Sequence, residues 1–577
     1  MISYIKNFFF ILAPKDKISL LKILFLHFIS TIFEVLTIGL IIPIISLFLD
    51  IGKFTSYIEK SNYFNNNFHF LLSFSQKELL FFTLLLFLFV YILKTFFLIF
   101  FQNQKFTFLS ESHDFVVNKM YKNYLNKNYI FHLSNNSSTM IRNITQDCNI
   151  FSFSITPAII HLITEVLKVI LIVSVLIFYS PGVTIVLFSV LSFLILFFYK
   201  LTSYKLKTFG LEKQYYSAKI IQKLQEGFKS IKEIIIYNMQ DIFLNEFSAP
   251  NKLNSFFRSK SELLTSSLKP LVELCVVILF LIIIFLALNI NYENSNIVLF
   301  IALFSFSFSK MLPSYLLITK SLADLRYNYS TIKLISSELK NFINPEIKKN
   351  KKIDDIFKIE LKNIYYNYSG SKKLILEDIN FEVQENDKIA IIGSTGAGKT
   401  TLINIITGLL QSERGDLLIN DKLYNLKDYF IHNQIGYVPQ SPTILEETIL
   451  FNITLKNFKS DFILSNVIES LKIVQLYDFI NNLENGIDTL LGENGANFSG
   501  GQCQRLAIAR AIYRNPSVLI LDESTNAIDD NTENLILDNI NKKFYNKIVI
   551  NVSHKKNILN FCNKIYKIEN KKIYLIK

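Results

Sequence analysis

Before about residue 320, apolar side chains gather into six runs, near 21–49, 79–101, 158–179, 182–199, 267–289 and 297–318. Each meets the length of roughly 18 to 25 residues that a helix needs to cross a bilayer. Past residue 345 the period changes: residues 358–366 (K-I-E-L-K-N-I-Y-Y) alternate polar and apolar as a half-buried strand does. A charged stretch, 344–355 (N-P-E-I-K-K-N-K-K-I-D-D), separates the two regimes. The pattern predicts an α-helical six-span transmembrane domain over 1–335, a linker over 336–355 and an α/β domain over 356–577.

Lys and Arg set the orientation of the spans. With both termini on the cytosolic side, the cytosolic segments ahead of the sixth run carry nineteen basic residues and the outer ones three. The first run is too long for a cleaved leader and is expected to stay in the mature chain. In 217–236, Ile220, Leu224, Phe228, Ile231 and Ile235 recur at helical spacing among polar residues, which predicts an amphipathic helix continuing below the membrane. The outer segment 50–78 holds Tyr63, Phe64, Phe68, Phe70 and Phe74, enough for a short interfacial helix or for a loop packed on the bundle.

Composition agrees: of 577 residues, 50% are hydrophobic and 19% charged, and the mean hydropathy of +0.32 argues against a soluble enzyme. The net charge of +13 belongs to loops of a membrane protein, not to a nucleic-acid binder. Cys148, Cys275, Cys503 and Cys562 have no paired spacing, so neither a disulfide framework nor a zinc site is expected.

Candidate chemistry is concentrated in the second half. Gly393, Ser394, Thr395, Gly396, Ala397, Gly398, Lys399 and Thr400 spell a phosphate-binding loop between an apolar strand and a helix that continues through Thr401. Its glycines free backbone N–H groups for phosphate, Lys399 is placed for the β and γ phosphates, and the Thr400 hydroxyl for Mg²⁺. About 120 residues on, the run V-L-I-L-D-E ends in Asp522, able to hold Mg²⁺ through water, and Glu523, placed to polarise an attacking water.

Between them, F-S-G-G-Q contains Ser499, Gly500, Gly501 and Gln502 and resembles the signature motif of ABC ATPases. The resemblance extends over the soluble half. It implies that Tyr368 stacks on adenine, Gln440 forms the Q-loop and touches the metal, residues 492–495 form an exporter X-loop, 526–529 the D-loop, and His554 the switch histidine. Phe498 stands where the family has Leu, and Asn526 where it has a small Ser. In the family the signature completes the site of a second ATPase domain, so a chain with one such domain is expected to form a homodimer binding ATP and Mg²⁺.

Six spans fused ahead of the ATPase resemble type IV ABC exporters. Charges inside the spans, Glu34, Lys94, Glu165, Lys168, Glu273 and, near an end, Lys269, are expected to face a cavity or to pair with one another, Glu34 with Lys94 and Glu165 with Lys168. The placement of Glu34, Lys94, Lys269, Glu273 and Lys310 resembles the lipid-linked oligosaccharide flippases and implies that Lys94, Lys269 and Lys310 contact the pyrophosphate of a polyprenyl-linked glycan. On this reading the chain moves such a glycolipid across a bacterial cytoplasmic membrane. Export of a lipid A-like lipid or a small peptide, and an ATP-gated channel or regulator, are the alternatives.

Overall fold

The computed structural model describes residues 2–49, 74–179, 181–289, 294–341, 351–352, 355–368, 373–424, 429–430, 432–456 and 462–577. Most of the expected outer interfacial segment, residues 51–73, lies outside them. The chain forms two compact units: Met1–Lys127 with Ser134–Ile343, and Asn128–Leu133 with Asn344–Lys577.

The first unit is helical. A short α1 (Ile2–Ile11) precedes α2 (Pro14–Leu49) and α3 (Gln76–Leu125). Ser75 starts α3 with a reciprocal capping box to Glu78, which satisfies two otherwise free backbone donors. At 50 residues α3 is about 75 Å long, far more than a bilayer core requires. After α4 (Tyr129–Ser134), which through Leu133 belongs to the second unit, the chain returns to the first at Ser134 and runs from Ser137 through two π-helical turns, Asn143–Asp147 and Phe151–Ile155, into α5 (Thr156–Tyr179). Then come α6 (Pro181–Lys229), α7 (Gln240–Ser266), α8 (Leu268–Asn289), α9 (Asn294–Tyr327) and α10 (Tyr329–Lys340).

Among the described residues, four stretches are long and apolar enough to cross a membrane: Pro14–Ile41, Gln76–Leu125, Ser137–Ile177 and Phe188–Lys229. The fifth and sixth expected spans fall on α8 and α9, which are helical but carry many side chains outside the described residues. Ile38, Val169, Ile172, Leu176, Met311 and Tyr315 from α2, α5 and α9 form a buried core.

The single amphipathic helix expected over 217–236 is broken. α6 stops at Lys229, Ile231–Ile236 forms a separate turn and a half, and Asn238 at φ 53° reverses the chain into α7. The reversal folds α7 back along α6, where Lys223 Nζ reaches Glu246 at 2.6 Å. A straight helix would forgo that packing.

The second unit is built on a six-stranded sheet in the order β12-β11-β4-β10-β9-β8. Strands β4 (Lys388–Ile392), β8 (Ile435–Val438), β9 (Val518–Asp522), β10 (Ile548–Val552) and β11 (Lys564–Glu569) run parallel, and β12 (Lys572–Leu575) closes the edge antiparallel. β9 and β10 are buried at every position, as strands covered on both faces must be. A second sheet, ordered β3-β2-β5-β6, uses β2 (Lys358–Tyr366), β3 (Leu376–Gln384), β5 (Arg414–Ile419) and β6 (Lys422–Leu423). The two-residue strands β1 (Lys351–Lys352) and β7 (Tyr429–Phe430) pair apart from both.

Candidate nucleotide site and intramembrane charges

Because β4, β10 and β9 are parallel neighbours, their C-terminal ends share one edge, where ligands of open α/β sheets bind. The phosphate loop follows β4, His554 follows β10, and Asp522 ends β9 with Glu523 next. Gln440 lies two residues past β8, the neighbour of β9. Residues remote in sequence therefore converge because of strand order.

The phosphate loop leads into α11 (Lys399–Ile406), whose N-cap is Gly398 at φ 104° with no side-chain capping bond. A Cβ there would stand 2.9 Å from Leu376 Cδ2, so the position demands glycine on two counts. The uncapped amides fit a phosphate group. Lys399 Nζ donates to Gly393 O at 2.6 Å and Ser394 O at 3.3 Å, holding the ammonium over the loop. Thr400 is exposed, whereas Thr401 is buried and its Oγ1 lies 3.3 Å from the Tyr368 hydroxyl. Ser394, Thr395 and Gly396 are exposed, and Ala397 packs on the core.

Opposite the loop, Glu523 is a non-glycine residue at φ 47°, a conformation that costs free energy and persists only where surroundings enforce it. Its N–H donates to Val552 O at 3.0 Å. Its Oε2 accepts from Gln440 Nε2 at 2.7 Å and Asn526 Nδ2 at 3.3 Å. Among the described residues Oε1 has no hydrogen-bond partner, which leaves one carboxylate oxygen able to accept a proton. His554 Nε2 donates to Gly393 O at 3.0 Å, tying the end of β10 to the start of the loop.

Asp522 is buried, and Tyr437 OH donates to its Oδ2 at 3.3 Å. Burial, opposed by that hydrogen bond, and the adjacent Glu523 carboxylate hold the Asp522 carboxyl above its usual range. Burial likewise raises the Tyr437 phenol, which stays protonated and keeps donating. Tyr437 stands within Y-V-P-Q, but its role depends on the pairing of β8 with β9 and not on any local signal.

Among the described residues no cluster of three or more His, Cys, Asp or Glu could hold a metal ion alone. Mg²⁺ would share its shell between phosphate oxygens and Thr400, Gln440 and Asp522, in keeping with how this ion binds nucleotide sites.

The signature residues are organised differently. Ser499 caps α12 (Gly500–Tyr513) in a capping box, its Oγ accepting from Gln502 N and its N–H donating to Gln502 Oε1 at 2.8 Å. A Cβ on Gly501 would stand 2.7 Å from Ala527 O, so glycine lets the D-loop lie against the helix start. Gln504 Oε1 accepts the Ala527 N–H at 2.9 Å and locks the two together. Phe498 packs edge-on against Phe479, an apolar contact like any that a Leu would make there.

In the first unit the intramembrane charges form a ladder. Glu34 is shared by Lys168 at 2.5 Å and Lys94 at 3.4 Å. Glu165 meets Lys168 at 3.7 Å and His27 at 3.9 Å, and Lys105 lies 3.1 Å from His161. Both pairings expected from the sequence are present. Lys310 differs: among the described residues no carboxylate lies within 4.0 Å of it, and it sits over Phe306 at 5.3 Å and Tyr91 at 6.0 Å. Lys94 reaches the same Tyr91 ring at 5.4 Å. Lys269 and Glu273 pair along α8 at 4.0 Å with both side chains substantially exposed.

Comparison with known proteins agrees with this architecture. At 37% identity over 213 residues, the chain resembles the alpha-hemolysin translocation ATP-binding protein HlyB of Escherichia coli O157:H7, over 37% of this chain and 30% of that protein. A putative multidrug export ATP-binding/permease protein of Staphylococcus aureus (strain NCTC 8325 / PS 47) is 36% identical over 217 residues, 37% of each chain. The matched stretch thus spans about a third of these relatives' own length. A bacterial Atm1-family ABC exporter with ATP bound superposes with a TM-score of 0.78 at 16% identity, covering 97% of this chain and 94% of that one, which is a likeness of fold. The profile of the ABC transporter transmembrane region matches residues 20–311, and that of the ABC transporter domain matches 376–526. A helical membrane region followed by a sheet whose shared edge carries the phosphate loop, in one chain matched by both profiles, belongs to the ABC transporters.

Proposed function

We propose that the chain is an ATP-driven exporter, working as a homodimer, that moves a lipid-linked oligosaccharide or related glycolipid from the cytosolic to the outer leaflet of a bacterial cytoplasmic membrane. The observation that carries the ATPase part is the meeting of Gln440, Glu523, His554 and the Gly393 carbonyl at one sheet edge. Bound Mg²⁺ would neutralise phosphate charge. Lys399 and the α11 amides would orient the phosphates, and Glu523 would take a proton from the attacking water on Oε1. His554, already fixed to the loop, would read the γ-phosphate position. Ser499 and the α12 N-terminus would serve a second copy, whose phosphate must compete with the capping box.

The substrate reading rests on Lys310 and Lys94 flanking Tyr91, two ammonium groups with one carboxylate partner between them. Desolvated ammonium groups attract phosphate esters. The names of the relatives favour a second reading, export of a polypeptide or a drug-like molecule.

The test compares lipid extracts from cells lacking the gene, cells carrying Glu523→Gln and wild-type cells by mass spectrometry. The proposal expects a polyprenyl-pyrophosphate glycan to accumulate in both defective strains. Purified Glu523→Gln should bind ATP but release phosphate at least about 100-fold more slowly. An unchanged polyprenyl pool alongside that biochemical loss overturns the substrate and leaves the ATPase standing.

A further inference from the structure

An apolar cavity of about 120 Å³ lies in the first unit between α1, α5, α6, α9 and α10, and none of the paired intramembrane charges is among its lining residues. Its apolar wall includes Phe9 from α1, Ile159 and Ile163 from α5, and Leu322 from α9. That volume is of the order of an engineered apolar cavity, about 150 Å³, that stays dry and takes up a benzene-sized group. Phe9 and Ile163 are each more than a third exposed, so the rim opens outward.

All of these residues share one level. Ile159 and Ile163 stand at the start of the third expected span, Tyr199 ends the fourth, and Leu322 lies past the end of the sixth, each on the cytosolic side of the topology set by the basic residues. α1 exposes Ile5, Phe9 and Phe10, the mark of a helix lying in the membrane interface.

One end of the cavity is cationic. Arg326 Nε donates to Tyr199 OH at 2.6 Å, with the guanidinium 5.2 Å from that ring. Among the described residues no carboxylate lies within 4.0 Å of Arg326, so its outer N–H pair is presented without an acid partner. Lys207 adds a second cation 5.0 Å from the ring of Tyr329, another wall residue. An apolar slot with an Arg fork at its mouth, at the depth of the inner leaflet's head groups, suits an acyl chain joined to an anionic head group, and the abundant one at that depth is a phosphate ester.

We propose that this cavity is a binding site for an anionic phospholipid of the inner leaflet, with its acyl chain between α1 and α5 and its phosphate on Arg326. The occupant is a resident lipid that clips α1 to the bundle, separate from any transported molecule. Native mass spectrometry of the full-length protein, titrated with phosphatidylglycerol and with phosphatidylcholine, tests it. The wild type should retain phosphatidylglycerol preferentially. Arg326→Gln should weaken that retention roughly tenfold, to the phosphatidylcholine level, and Ile163→Trp should abolish retention of both. Equal phosphatidylglycerol retention in all three overturns the proposal. A phosphatidylglycerol carrying a diazirine in its acyl chain needs no substitution: it should label α1 or the first turns of α5, and labelling confined to other helices overturns the proposal as well. Neither readout depends on ATP or transport, so failure of the export reading leaves it intact.

Discussion

Individual side chains decide the chemistry at two places. At the sheet edge, Tyr437 reinforces Asp522 with one hydrogen bond. Tyr437→Phe removes that donor while keeping the ring, and should lower kcat/KM for MgATP roughly 3- to 10-fold, the scale of one hydrogen bond; steady-state ATPase assays over a Mg²⁺ series check it. Within the membrane, Lys94 and Lys310 share a ring but differ in partnership. Lys94→Ala removes one of the two cations on Glu34 and should lower the thermal midpoint of the protein. Lys310→Ala breaks no ion pair among the described residues, and should keep the midpoint and basal hydrolysis yet lose transport. A Lys310→Ala protein that transports normally removes that residue from the substrate site. Most of the residues that meet at this sheet edge were legible in the sequence as candidates because a phosphate loop, an acidic strand end and a signature motif are local patterns. Tyr437 and Tyr91 were not, since strand order brings the first to Asp522 and helix packing brings the second between two lysines.

Among the helices, the turns around residue 147 are tied by a buried network. Arg142 Nε donates to Asp147 Oδ2 at 3.2 Å and Nη1 to the Gln214 carbonyl at 2.9 Å. Asp147 Oδ1 accepts from Gln214 Nε2 at 3.0 Å and Thr331 Oγ1 at 2.8 Å, linking the stretch before α5 to α6 and α10. Asp147→Ala strands a buried guanidinium and should cost about 3 to 5 kcal/mol, read as a lowered unfolding midpoint in detergent; Asp147→Asn, which keeps the acceptor, should lose less. Long spans were legible from hydropathy, which needs only composition. The π turns flanking Asp147 were not, because one inserted residue per turn shifts a 3.6-residue pattern without erasing it. α1 had no such signal, because its 10 residues are too few to span a bilayer.

At the scale of the whole molecule, the order of membrane half before ATPase half follows from the change of hydrophobic period near residue 345. Exposed apolar side chains at the far end of α6, Phe228 at 73% and Leu224 at 40%, call for cover beyond this chain's own fold. Purified protein in nanodiscs should therefore run at twice the 67.0 kDa chain mass, and an active species at the single-chain mass, seen by light scattering with ATPase assay, defeats the homodimer. The second unit, finally, is not one stretch of chain: Asn128–Leu133 belongs to it, and Ile130 packs on its core. A fragment cut at Asn344 would leave that piece of core behind and expose the apolar surface it covers. Exchanging ATPase halves between exporters would thus demand a second graft, the six residues at 128–133, for the chimera to fold as tightly as its parents.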